Sequence, residues 1–302
     1  MSFAELKRKS QANFEFLQKE IEKTSSNSNT DERLWKPGLD ASGSGYAVIR
    51  FLPPPEQDIE GDTPSLPWAK LYSHAFQGPG GWYIENSLTT LNQKDPVGEI
   101  NRQHWNAGTE EGKELARKQK RRLSYYSNIY VVKDTNDPSN EGKVFLYRYG
   151  KKIFDKILAA MQPEFQDETP VDVFDLWEGA NFKLKIKTVA GFWNYDSSEF
   201  DSPSALSSDD SELEAIYKQE HSLKAFTASD QFKTYEELQA RLNLVLNSAP
   251  APAPVYREEA EVPVPVAAVS SAPKFNTTKS EPSPVADDDD ALSYFAALAN
   301  ED

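Results

Sequence analysis

The fold is decided by a hairpin in the middle of the chain, YYSNIYVVK at residues 125–133 followed by KVFLYRY at residues 143–149. Aromatic and β-branched residues predominate in both runs, and the loop from Asp134 to Gly142 is rich in Asp, Asn, Pro and Gly, which favour turns. Four more short runs of this kind are bounded by turn residues: Tyr46–Leu52, Ala69–Phe76, Trp82–Ile84 and Asn181–Val189. The sequence therefore predicts a protein made mostly of short strands.

Two helices are predicted among these strands. Ile153 and Ile157 belong to an apolar stripe with helical spacing that ends before Pro163, and a second stripe follows the capping box formed by Thr234 and Glu237. Because strands and helices do not alternate, a small barrel fits the pattern better than a doubly wound sheet. We therefore expect a mainly β protein with inserted helices, of the α+β class.

The composition excludes several classes of protein. The 302 residues are 38% hydrophobic and 27% charged, which is typical of a soluble globular protein. No run approaches the roughly 18 to 20 apolar residues of a membrane helix, and Met1 to Ser10 is charged where a signal peptide would be apolar, so we expect no membrane partner and a cytoplasmic location. With no Cys and three His, disulfides, a thiol nucleophile and a thiolate metal site are excluded, and we expect neither cofactor nor metal.

The net charge of -15 is unevenly distributed. Residues 117–156 contain 11 basic and 4 acidic residues, a net charge of +7. Residues 196–220 and residues 251–302 each carry a net charge of -7. A polyanionic partner is therefore compatible with the acidic chain, because the acidity lies outside the basic segment.

Basic and aromatic residues occur together at three places in the predicted sheet. Single-stranded nucleic acid needs both, since cations hold the phosphates and flat rings stack on unpaired bases. The alternative interpretation is that the tyrosines form a core face and the lysines an exposed strand edge. The candidate DNA-binding residues are Lys120, Arg121, Arg122, Tyr125, Tyr147, Arg148, Tyr149, Lys151, Lys183, Lys185, Phe192 and Tyr195.

The composition divides the chain into three predicted parts, an N-terminal arm at 1–30, a core at 31–249 and a Pro/Ala linker with an acidic tail at 250–302. The arm has a helical apolar stripe, which either packs on its own core or docks on a neighbouring molecule. The tail either solubilises the protein or forms a short helix on a partner protein. Its candidate partner-binding residues are Asp287, Asp288, Asp289, Asp290, Leu292, Phe295 and Leu298.

Signals of catalysis are weak. Gly43-Ser44-Gly45 precedes a strand, whereas a dinucleotide-binding fingerprint follows one, so a turn is the better interpretation. His74, His104 and His221 have no Ser or Asp pattern that suggests a catalytic triad. We therefore expect no enzymatic activity.

Several stretches carry a family resemblance: RRLSYY at 121–126, VVKD at 131–134, NEGKVF at 140–145, YRYGKK at 147–152, TPVDV at 169–173 and WEGANF at 177–182. Together with 47–53, 81–85 and the segment through Tyr195, they resemble the replication single-stranded DNA-binding protein of T-even-type bacteriophages. The resemblance covers most of Leu34 to Leu246 and is specific, because long stretches recur in the same order with similar spacing.

The resemblance implies an OB-fold barrel that binds single-stranded DNA without sequence preference. It places Tyr125, Tyr147, Phe192 and Tyr195 in the DNA cleft and Lys120-Arg121-Arg122 in the basic motif. It implies that the acidic tail recruits replication and recombination proteins, and that the host cell is an infected bacterium. The motif implied to join neighbouring copies along the DNA consists of Lys7, Arg8, Lys9 and Ser10.

This sequence departs from the family at the metal site. The family type binds a structural zinc through one His and three Cys; His74 keeps its place, but Ser87, Asp95 and Gly98 stand at the cysteine positions. Without thiolates the tetrahedral site is lost. A replacement site from His74, His104 and Asp95 is the alternative.

Taken together, the residues and the resemblance predict a non-catalytic, cooperative single-stranded DNA-binding protein that acts in phage replication, recombination and repair. The rival hypothesis is a phage scaffold or adaptor protein that acts through its acidic tail, with the aromatic strands forming only core.

Overall fold

The computed structural model describes residues 31–61, 64–165, 167–189 and 191–247. The predicted association motif at Lys7 to Ser10 and the tail residues from Asp287 to Leu298 lie outside the described residues, so both hypotheses stay predictions.

The described part of the chain consists of short strands with helices inserted between them. The strands are β1 Leu34–Trp35, β2 Gly45–Phe51, β3 Ala69–Gly78, β4 Gly81–Asn86, β5 Arg122–Asp134, β6 Val144–Tyr149, β7 Phe182–Val189, β8 Phe192–Asn194 and β9 Glu199–Phe200. The helices are α1 Pro96–Asn106, α2 Glu110–Gln119, α3 Lys151–Met161, α4 Asp210–Tyr217 and α5 Tyr235–Asn247. The predicted strands and both predicted helices are confirmed.

Strand β5 organises the sheet. It pairs antiparallel with β6 along the predicted hairpin, with β3 through its first half and with β2 through its second half. Strand β2 pairs in turn with β7, and β7 with β8. Among the described strands this path runs open from β6 to β8, so the closed barrel that the sequence predicted is not confirmed.

The main core lies on one face of this sheet and is largely aromatic. Phe51 is fully buried and contacts the rings of Tyr149, Phe174 and Phe182 at centroid distances of 5.6, 5.8 and 5.9 Å. Such offset and edge contacts add to the free energy of burying the apolar area. The buried aromatic residues of these strands therefore form the hydrophobic core.

A second core joins helix α5 to the β3–β4 hairpin. Leu238, Leu242 and Val245 of α5 pack with Phe76 and Tyr83. The predicted capping box at the start of this helix is confirmed: the Thr234 N–H donates to Glu237 and the Glu237 N–H donates to the Thr234 hydroxyl, at 2.9 and 3.3 Å.

Helices α1 and α2 were not predicted. Each begins at a side chain that caps it: Asp95 accepts from the Val97 and Gly98 N–H groups, and Thr109 accepts from the Gly112 N–H. None of the helices in the described ranges has the length and apolar character needed to cross a membrane.

Candidate nucleic-acid interface

Two arginines share the outer face of the β5–β6 hairpin. Arg122 and Arg148 are both exposed, and the Arg148 Nε donates to the Ser124 hydroxyl at 3.0 Å. Partial burial of the guanidinium and the nearby charge of Arg148 lower the pKa of Arg122 below its ordinary value. Within the described ranges neither arginine has a carboxylate at ion-pair distance. Their mutual repulsion favours an anion between or beside them.

The predicted lysines have a different environment. Lys183 lies 2.8 Å from Asp201, and Lys185 lies 2.7 Å from Glu199. The hydrogen bond that Lys183 donates to the Asp201 carboxylate raises the pKa of Lys183. Lys151 likewise lies 2.8 Å from the Asp155 carboxylate, one helical turn along α3. These three cations are compensated within the protein, so their free charge is smaller than the sequence indicated.

The three tyrosines of the hairpin are buried on the core face. Tyr125, Tyr147 and Tyr149 are 6, 3 and 4% exposed. The Tyr125 ring lies flat on Phe154 at a centroid distance of 3.9 Å, and Tyr149 shares a hydrogen bond of 2.9 Å with Ser127. Burial raises the pKa of Tyr147 and Tyr149 above the ordinary value of 10.0.

The positions of Tyr125, Tyr147 and Tyr149 agree with the alternative interpretation of the sequence, in which the tyrosines form a core face. As the rings stand, they offer no exposed surface to a base, and they lie on the face opposite to Arg122 and Arg148, since alternate residues of a strand point to opposite sides. Base stacking by Tyr125 and Tyr147 stays a prediction, and it requires the chain to rearrange around bound DNA.

Exposed rings are found instead at the β7–β8 hairpin. Phe192 and Trp193 are 38 and 39% exposed beside the exposed Val189. Tyr195 is half-buried against the main core and meets Trp193 edge-on at 6.5 Å. Trp193 was missing from the predicted site although it lies between two predicted residues; its signal is its place in the run GFWNY at 191–195.

The basic run at the start of β5 is divided between the two faces of the sheet. Arg122 points to the outer face, whereas the Arg121 guanidinium lies over the ring of Tyr72 on β3, 4.3 Å from its centroid. Lys120 is half-buried where α2 ends. Tyr72 and the adjacent Lys70 were missed by the sequence reasoning, because their relation to Arg121 depends on the pairing of β3 with β5.

The four positions aligned with the family's zinc ligands meet in the structure. His74 Nε2 lies 3.2 Å from Asp95 Oδ1, and the Ser87 hydroxyl donates to Asp95 Oδ2 at 2.9 Å. The other ring nitrogen of His74 faces the Gln119 carbonyl at 3.0 Å. His74, Ser87 and Asp95 are 1, 0 and 3% exposed, so the network is buried.

These donors do not fit a tetrahedral zinc ion. Gly98 has no side chain, and the Asp95 carboxylate already accepts from the Ser87 hydroxyl and from the N–H groups of Leu88, Val97 and Gly98. Within the described ranges no group of three His, Asp or Glu side chains is arranged to hold a metal, which includes the alternative set with His104. A buried polar network thus occupies the place of the family's metal centre.

The described part of the chain thus combines two exposed arginines of strands β5 and β6 with two exposed rings at the β7–β8 hairpin. Comparison with known families gives the class of the protein. The family model described as "gp32 DNA binding protein like" matches residues 43–246, which is more than half of the chain. The chain belongs to this family.

Individual relatives agree with this assignment. A protein named single-stranded DNA-binding protein from Enterobacteria phage T2 is 43% identical over 227 residues, which are 74% of this chain and 72% of the relative. The protein of the same name from Enterobacteria phage T4 is 41% identical over 250 residues, 80% of each chain.

Proposed function

We propose that this chain binds single-stranded DNA without sequence preference and without catalysing a reaction on it, as the named relatives and the family description suggest. The single observation that carries the proposal is the pair Arg122 and Arg148, two exposed arginines of the paired strands β5 and β6 with no carboxylate at ion-pair distance among the described residues. Phosphates of a nucleic acid backbone supply the missing negative charge.

The proposed mechanism has two parts. The arginines, with Lys120 and Arg121, capture the backbone electrostatically, and bound counterions are released as they do so. Exposed rings then stack on bases, a contribution of about 1–3 kcal/mol per base that every base can supply. Phe192 and Trp193 are the rings most accessible for this step.

The proposal extends to the parts of the chain outside the described residues. The motif Lys7 to Ser10 joins neighbouring copies on the DNA, and the tail with Leu292, Phe295 and Leu298 recruits replication and recombination proteins in the cytoplasm of the infected host. The core belongs to the OB-fold class. The sequence resemblance supports these finer assignments.

Titration of a fluorescent oligonucleotide with the full chain at two salt concentrations tests the proposal. Binding that weakens steeply with salt, is equal for two unrelated sequences and is much weaker for the matching duplex supports it. Absence of binding at low salt refutes it and leaves the adaptor hypothesis, in which the tail alone binds proteins.

A further inference from the structure

Two cations lie close to the ring of Tyr72 on strand β3. The Arg121 guanidinium lies 4.3 Å from the centroid of the Tyr72 ring, and the Lys70 ammonium lies 5.0 Å from the same centroid. Cations at this range are attracted to the electron-rich face of an aromatic ring. One ring is therefore within reach of a cation from its own strand and of a second cation from the residue that precedes β5.

The backbone of Tyr72 is held by neighbouring segments on both sides. Its strand pairs with β5 on one side, where Tyr72 lies opposite Leu123 and Lys70 lies opposite Tyr125. On the other side, the Tyr72 N–H donates to the Thr90 hydroxyl at 2.9 Å, and its carbonyl accepts from the Ser87 N–H at 2.9 Å. Both edges of the backbone are thus fixed, and the ring is pre-organised to hold the cations.

The cluster is open to a ligand. Lys70 is exposed, Tyr72 and Arg121 are half-buried, and within the described ranges Lys70 has no carboxylate at ion-pair distance. Two cations within reach of one partly exposed ring match one nucleotide unit, which offers a phosphate for the cations and a base for the ring.

We propose that Lys70, Tyr72 and Arg121 form a nucleotide subsite for single-stranded DNA, with a phosphate held by Lys70 and Arg121 and the adjoining base against the Tyr72 ring. The inference rests on the proposed DNA-binding function and deepens it, because it adds strand β3 to the path of the DNA and gives Arg121 a role separate from that of Arg122 on the opposite face.

Oligonucleotide affinity of full-length variants tests the subsite. Tyr72→Leu removes the ring and should weaken binding about tenfold, whereas Tyr72→Phe keeps it and should bind within about twofold of the wild type. Lys70→Ala should lower the slope of log affinity against log salt by about 0.7, the contribution of one phosphate contact on a single strand.

Trp82→Leu, which removes an exposed ring at the far end of the β3–β4 hairpin, serves as the matched control and should bind normally.

Direct contact is tested by irradiating the wild-type complex with an oligonucleotide that contains 5-iodouracil. An adduct on the peptide with Lys70 to Ser73 supports the subsite, also in the event that Tyr72→Leu fails to fold. A folded Tyr72→Leu protein with wild-type affinity, or adducts that exclude this peptide, overturns it. If the wild-type chain binds no oligonucleotide at all, the proposed function itself fails, and that outcome is distinct from the loss of this subsite alone.

Discussion

Around Asp95, both oxygens of a buried carboxylate are matched by donors from the protein. Arg122 and Arg148, in contrast, are exposed and have no carboxylate at ion-pair distance among the described residues. The two regions are neighbours in the fold, because β3 carries His74 and pairs directly with the start of β5. The buried carboxylate needs partners within the protein, whereas the exposed arginines do not.

This difference in pairing distinguishes charged side chains that stabilise the fold from those that are available to a ligand. A buried ion that lost its partner would cost several kcal/mol, so a network that stabilises the fold has to be internally complete. An exposed cation costs little without a partner and is available to a ligand. We therefore expect exposed cations without an acidic partner, such as Arg122 and Arg148, to contribute more to DNA binding than the paired Lys183 and Lys185.

The largest expected effect is on folding. Asp95→Ala leaves His74, Ser87 and the first N–H groups of α1 without their acceptor, and we expect it to lower the free energy of unfolding by about 3–5 kcal/mol. Denaturant unfolding followed by circular dichroism measures this change.

The control for this variant is Asp95→Asn, which keeps a capping oxygen for α1 but removes the charge beside His74. It should destabilise the protein less than Asp95→Ala. Equal stability of the wild type and Asp95→Ala would show that the network contributes nothing to the fold.

Acid should weaken the same network. Although burial favours the neutral acid, the interactions with His74 and Ser87 and the Gly98 N–H outweigh it and hold the pKa of Asp95 below its ordinary value of 3.8. Because the folded pKa is the lower one, this stabilisation is present above about pH 4 and is lost as the pH falls through the folded pKa. The stability difference between wild type and Asp95→Asn should narrow between pH 6 and pH 3, and a constant difference would contradict the assignment.

The sequence predicted the strands better than the helices for a physical reason. The strands bury aromatic and β-branched residues that also have high strand propensity. Helices α1 and α2 bury few apolar side chains, chiefly Val97 and Ala116, so their periodicity is weak. Their signals were the caps Asp95 and Thr109, but Asp95 was considered from the sequence only as the residue at a family cysteine position and as part of an alternative metal site.

The candidate site was predicted in part. Arg122 and Arg148 follow from the local basic pattern, but the acids that compensate Lys183 and Lys185 come from a later strand and its end, Glu199 and Asp201, which only the fold brings near. Strand alternation is the same for a core face and a binding face, so Tyr125 and Tyr147 could not be assigned to one of them from the sequence.

Two ring deletions should therefore act differently. Tyr147→Ala empties part of the main core and should lower the free energy of unfolding by about 3 kcal/mol or more. Phe192→Ala removes an exposed ring and should leave stability nearly unchanged while it weakens oligonucleotide binding by about 1–3 kcal/mol. A Tyr147→Ala protein of normal stability with selectively weakened binding would reverse this assignment.

A smaller effect concerns the salt dependence of binding. Arg148→Ala should reduce the slope of log affinity against log salt by about 0.7, since one phosphate contact is lost. Lys183→Ala is the matched control, because Lys183 is already paired with Asp201. Equal slope changes for the two variants would mean that the ion pairs open when DNA binds and that pairing in the free protein does not identify the contacts.

The smallest expected effect is that of a metal chelator, which should leave the melting temperature of the wild type unchanged. Asp95 and Ser87 bond to each other where the family has thiolates, and Gly98 offers no ligand, so elemental analysis should find no stoichiometric zinc. One zinc per chain would overturn this.

Restoring the three cysteines tests whether the positions around Asp95 have the geometry of a zinc site. A Cβ atom at Gly98 would lie 3.9 Å from the Asp95 Cβ, so a side chain fits there without a clash. Ser87→Cys, Asp95→Cys and Gly98→Cys in one protein would therefore place three thiolates beside His74, and we expect this variant to bind one zinc ion and to lose thermal stability when a chelator is added. If it binds no zinc, the four positions do not form the geometry of a metal centre, and the buried network around Asp95 has no relation to one.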